Sequence, residues 1–174
     1  METTNKRPVL TGMFRDRDSA EKAYGTLHSR GYTKDDVDLI MSDDTKKKYF
    51  AHGDTELGTK AMEGLGKGSA IGGAVGAVAG ILAAIGTSIV LPGLGLVIAG
   101  PLAAGLAGAG AGGVTGGIIG ALVGHGIPEE RARLYESGVK SGKIVMGVSP
   151  KNDEDATHFE NEWRDHKAEE IYRS

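Results

Sequence analysis

The sequence predicts an α+β fold in three parts, two flanks that each read as β-α-β and a long apolar middle that reads as a helical hairpin. Three observations carry this. Glycine recurs at every fourth position in two runs, Gly64, Gly68, Gly72, Gly76, Gly80 and Gly108, Gly112, Gly116, Gly120, Gly124. The stretch 68–128 contains no Asp, Glu, Lys or Arg. Each flank repeats the same order: short apolar run, Asp or Asn cap, amphipathic run. Two β-α-β halves in one small domain form a ferredoxin-like sandwich. The expected organisation is therefore 1–60 for the first half, 61–126 for the hairpin and 127–174 for the second half.

In the first flank, Val9-Leu10-Thr11-Gly12-Met13-Phe14 suits a strand. Asp16 or Asp18 can cap the helix that follows. Ala20, Ala23, Tyr24 and Leu27 recur at helical spacing, and Gly31 is a C-terminal stop. Val37 to Met41 reads as the second strand. Residues 43–60 read as a polar connection, with Lys46-Lys47-Lys48 beside Tyr49-Phe50.

In the middle, residues four apart share one helix face, so each glycine run is a bare stripe that admits another backbone at close range. The runs are mirror images about residue 94, and Pro92-Gly93-Leu94-Gly95 sits at the centre. Folded there, Gly80 faces Gly108 and Gly64 faces Gly124. Gly72, Gly76, Gly112 and Gly116 would carry the closest contact. The first helix then presents Ile71, Val75, Val78, Leu82, Ile85 and Ile89 as one outer seam. The second presents Leu102, Leu106, Val114, Ile118 and Leu122 away from its glycines. Glycine costs roughly 1 kcal/mol against alanine at an interior helix position, so such helices need close packing or an apolar surrounding. Helices of about 30 residues project too far to be covered by a sandwich of about 100 residues, and the outer seam is expected to meet lipid or a second copy. The flanks carry their own apolar residues and are expected to fold without the hairpin.

The uncharged stretch is long enough for two membrane spans of about 20 residues each. Lys60, Lys67, Arg131 and Arg133 flank it, which puts both ends on the cytoplasmic side. Against insertion, it is rich in Gly and Ala and has no Trp or Tyr for an interfacial belt. Membrane and soluble self-assembly both stay open as partners.

In the second flank, Ile127-Pro128-Glu129-Glu130 opens a helix, with proline in the first turn and acids at the positive end of the dipole. Lys143 to Val148 reads as the third strand. Asn152 or Asp153 caps a helix carrying Ala156, Phe159 and Trp163, and Glu169 to Tyr172 reads as a short edge strand.

Composition narrows the function classes. With 20 basic and 23 acidic residues and a net charge of −3, the chain offers no basic surface for nucleic acid. With no cysteine there is no disulfide framework, thiolate nucleophile or Cys-based zinc site. The start, Met1 to Pro8, lacks the apolar stretch of a signal peptide, so a cytoplasmic setting is expected. Gly64 to Ser69 fails the phosphate-loop pattern, and the GxGxxG at Gly108 to Gly113 has no preceding strand. The five histidines show no metal-ligand spacing, and no serine sits in a nucleophile elbow. No catalytic residue, cofactor, metal or small-molecule substrate emerges, and the chain is not expected to be an enzyme.

Several stretches together resemble a known family. They are Val9-Leu-Thr-Gly-Met-Phe, Leu91-Pro-Gly-Leu-Gly, Gly126-Ile-Pro-Glu-Glu and Tyr135-Glu-Ser-Gly-Val-Lys-Ser-Gly. In this order the chain resembles the bacterial general-stress, heat-induced YflT-like proteins over nearly its whole length. The resemblance implies a non-enzymatic stress protein with a membrane-like segment and offers no catalytic residues. The function expected is structural, a glycine-zipper hairpin associating with membrane or with other copies. The rival is a small-molecule or signalling-ligand module anchored by the hairpin, which a pocket with convergent polar groups would favour.

Overall fold

The computed structural model describes residues 8–50, 89–91, 95–103 and 117–174. The elements are β1 (Leu10–Phe14), α1 (Arg17–Ser29), a 3-10 turn at Lys34–Asp36, β2 (Val37–Ser42), α2 (Asp43–Phe50), β3 (Ile89–Leu91) and β4 (Leu96–Ala99). Then come α3 (Gly117–Gly124), α4 (Glu129–Lys140), β5 (Ile144–Val148), α5 (Asp153–Asp165) and β6 (Glu169–Arg173). The fold is α+β, as expected.

The local signals in the flanks act as read. Asp16 caps α1 by accepting the Ser19 N–H, and Asn152 caps α5 by accepting the Asp155 N–H. Glu129 and Glu130 occupy the first turn of α4 after Pro128. The tail forms the edge strand β6, which carries a bulge against β1. Glu170 sits there at φ 51, and its carbonyl accepts the Tyr135 hydroxyl at 2.6 Å. That hydroxyl has one hydrogen, so the 2.9 Å bond between Tyr135 and Thr11 has Thr11 as donor. The segment expected as a polar connection is partly helix. Asp43 and Asp44 start α2 and the lysines end it, both favourable to the helix dipole, and Lys47 pairs with Asp43 at 2.6 Å.

All six strands form one sheet in the order β3-β4-β2-β5-β1-β6, with antiparallel neighbours throughout. Both faces are covered. Leu10, Phe14, Leu39, Met41, Ile144 and Met146 point to α1 and α5, where Leu27, Phe159 and Trp163 meet them. Met13, Ile40, Ile98 and Val145 point the other way, to Ile118, Leu122, Tyr135 and Val139 of α3 and α4. This is why β1 and β5 are buried along their whole length instead of alternating. Two glycines permit close approach. A Cβ at Gly12 would stand 3.1 Å from the Trp163 ring, and one at Gly138 would stand 2.0 Å from the Met13 sulfur.

The middle departs from expectation. The chain does reverse between Leu91 and Leu96, but as a strand pair and not as a helix pair. Ile89, expected on a helical seam, is in β3. Ile-Val-Leu and Leu-Val-Ile runs on either side of the sequence Pro92-Gly93-Leu94-Gly95 are a hairpin signal in their own right. β4 then pairs with β2, so this part of the middle extends the flanks' own sheet. Among the described residues no helix is long and apolar enough to cross a membrane.

Candidate functional site

Of the residues expected to pack or associate, Gly64, Gly68, Gly72, Gly76, Gly80, Gly108, Gly112 and Gly116 lie outside the described residues. So do Ile71, Val75, Val78, Leu82, Ile85, Leu106 and Val114. The rest are placed on two sides. Leu102, Ile118 and Leu122, expected on an outer face, are buried in the chain's own core, at 1–2% exposure. This is a correction, and its cause is the sheet. Ile40, Ile98 and Val145 on its second face need an apolar cover, and α3 supplies one by turning its aliphatic side chains inward.

Gly120 and Gly124 consequently face outward on α3, together with Val123, which is 43% exposed. Among the described residues nothing lies within 4 Å of the point where a Cβ would stand at either glycine. Neither has a positive φ, unlike Gly126 at 92°. Nothing in the described fold therefore requires glycine at 120 or 124, although Gly120 costs roughly 1 kcal/mol against alanine in the helix interior.

A second feature lies at one end of the sheet, where β1 and β2 begin and β4 and β5 end. A cleft of about 530 Å³ opens there, lined by Asp35, Asp36, Asp38, Pro101, His125, Ser149 and Lys151 among others. Asp38 reaches it from the second position of β2, in an otherwise apolar run. Its Oδ1 accepts the Leu102 N–H at 2.6 Å, and burial pushes its carboxyl up to about 6 against the opposing pull of that bond. Two glycines make room for it. Gly100, at φ 97, comes so close that a Cβ would stand 2.2 Å from the Val37 carbonyl, and Gly147 passes beside the Asp38 side chain. His125 sits in the turn that ends α3, its backbone N–H bonded to the Ala121 and Leu122 carbonyls.

The sequence reading did not single out Asp38. The available signal was a charge inside Val37-Asp38-Leu39-Ile40-Met41, a strand otherwise fit for burial on both faces. The run Lys46-Lys47-Lys48 belongs to α2, where Lys48 lies 4.9 Å over the Tyr49 ring. Among the described residues no group of three His, Asp or Glu side chains could hold a metal ion.

Beyond the cleft, Asp155 is fully engaged. It accepts from the Tyr32 hydroxyl at 2.7 Å and from Arg30 at 2.6 Å, which hold its carboxyl below the usual range. Burial pushes the Tyr32 hydroxyl up to about 12, and that oxygen accepts the Lys151 N–H at 2.7 Å. This network ties α1 to α5. No family model, curated protein or solved structure matches this chain.

Proposed function

We propose that this chain is a non-enzymatic structural protein of the bacterial general-stress, YflT-like type, whose glycine-rich middle self-associates. The observation that carries this is the outward glycine face of α3. Two glycines at helical spacing stand in open space, with no backbone strain and no neighbouring atom among the described residues to require them. A bare face of this kind suits a second backbone at close range. Because α3 spends Ile118 and Leu122 on its own sheet, its outer face offers lipid little side-chain area, which favours another copy over membrane as the partner. The strand order β2-β5-β1-β6 with β1-α1-β2 and β5-α5-β6 connections supports reading the unit beneath as ferredoxin-like. The setting proposed is cytoplasmic.

The test is sedimentation velocity of the whole protein, with vesicle flotation alongside, on the parent and on Gly120→Leu with Gly124→Leu. The parent should sediment as an oligomer, and the double variant should melt like the parent but sediment smaller. Flotation of the parent in place of self-association would assign the face to lipid. A parent that is monomeric and does not float would overturn the reading.

A further inference from the structure

The cleft at the end of the sheet goes beyond association. We infer that it binds a small organic cation, an ammonium-bearing molecule that donates to Asp38 Oδ2 while its apolar body lies along Val9 and Pro101. Four observations support the class of ligand.

The carboxylate is positioned in advance. Oδ1 is held by the Leu102 N–H, Oδ2 has no hydrogen-bond partner among the described residues, and Asp38 lines the cleft. The balance of charge around it is acidic. Asp35, Asp36 and Asp38 line the cleft with Lys151 as the one lysine or arginine among them. Asp35 pairs with Lys34 at 3.5 Å and Asp36 accepts from Thr33, whereas Asp38 has the Leu102 N–H alone among the described residues. That lysine is already engaged, with its ammonium 4.4 Å over the Tyr32 ring. Apolar surface and room are both present, since Val9, Pro101 and Pro150 complete a volume within the range of metabolite sites. Finally, asparagine would serve the Leu102 bond as well without a charge to bury. A carboxylate kept at such a place is therefore better explained by a cationic partner than by the fold.

The ammonium would supply the counter-charge that the described side chains do not give Asp38, through a charge-assisted hydrogen bond. His125 also lines the cleft.

The probe is cyclohexylamine, with cyclohexanol as neutral control and cyclohexanecarboxylate as anionic control. Each is titrated into the full-length ¹⁵N-labelled protein at pH 7.5. The amine should shift the amides of Asp38, Leu102 and Gly147 saturably, with half-saturation on the order of millimolar, as suits so small a ligand. Asp38→Asn should keep the dispersed spectrum and bind roughly tenfold or more weakly, the loss expected of a charge-assisted hydrogen bond. Gly147→Ala, which narrows the space beside the carboxylate, should weaken binding without changing the preference for the amine. Equal response to cyclohexanol, an unchanged amine response in Asp38→Asn, or no saturable shift at these amides would each overturn the inference. None of these results bears on the oligomeric state.

Discussion

The two faces of the sheet are built from different stock. The face under α1 and α5 is aromatic, with Phe14 edge-on to Trp163 at 5.6 Å and Tyr32 edge-on to Phe159 at 4.9 Å. The face under α3 and α4 is mostly aliphatic, and a good part of it comes from the glycine-rich middle. Their carboxylates, Asp155 buried and Asp38 half-buried, differ in the same sense. Asp155 on the first is ringed by Tyr32, Arg30 and Asn152, whereas Asp38 on the second has the single Leu102 bond. The first face is closed by its own side chains. The second ends in an outward glycine stripe and a half-satisfied acid, and both proposals about function lie there.

The largest effect expected is from Ile118→Lys, which puts an unpaired charge against Ile40 and Val145. It should cost on the order of 3–5 kcal/mol in urea unfolding. Val123→Lys, five residues on and exposed on the other side of α3, should stay within about 0.5 kcal/mol. Equal tolerance of the two would mean that α3 does not cover the sheet. Next come truncations on opposite faces. Phe159→Ala should cost about 3–5 kcal/mol and Leu122→Ala about 2–5 kcal/mol. A cost well under 1 kcal/mol for Leu122 would break the claim that both faces are core.

A smaller effect separates the two carboxylates by pH. Asp38 has its folded value raised from 3.8 to about 6, so its contribution to stability is fully present below pH 4 and is lost as pH rises through about 6. Asp38→Asn should therefore stabilise the protein by roughly 1–3 kcal/mol at pH 7.5, with the gain vanishing near pH 4. Asp155 has its folded value lowered, so its contribution is present above the ordinary carboxylate range and lost as pH falls through the folded value. Asp155→Asn should destabilise at pH 7.5, and by less in acid. Melting curves of both variants from pH 3.5 to 8 test the crossing. The smallest effect is Gly120→Ala, which should raise stability by up to about 1 kcal/mol, since the added Cβ meets nothing among the described residues of its own chain. A destabilisation would show that the stripe serves the fold itself.

The first face was legible because its signals are local. Asp16, Gly31, Asn152 and the spacing of Ala20, Ala23 and Leu27 each fix an element within a few residues. Trp163 and Phe159 could be read as core from type and spacing alone. The second face was not, because periodicity does not say what a stripe faces. In α3 the glycines and the aliphatics alternate sides at the same spacing whichever side is inward, and only the open face of the sheet decides it. The β3–β4 pair carried its own β-branched signal, which the longer glycine period overrode. Asp38 was hidden for a related reason. A lone acid in an apolar strand reads as an edge or a turn until Gly100 and Gly147 are seen to make room for it. The stretch Tyr135 to Gly142 could be read as a unit, and the structure gives each part a task. Tyr135 bonds Glu170, Gly138 admits Met13, and Gly142 turns the chain at φ 98 into β5.

The central claim is that β3, β4 and α3 of the glycine-rich middle are part of this core and not an appendage to it. It is tested most directly by replacing residues 61–126 with a short Gly/Ser linker, and following thermal unfolding and Trp163 emission. The replacement removes β3, β4 and α3, and with them Ile98, Ile118 and Leu122 from the second face. The expected result is a chain with no cooperative melt and red-shifted, solvent-exposed tryptophan emission. A monomer that melts cooperatively with Trp163 emission as blue-shifted as in the whole protein would contradict it.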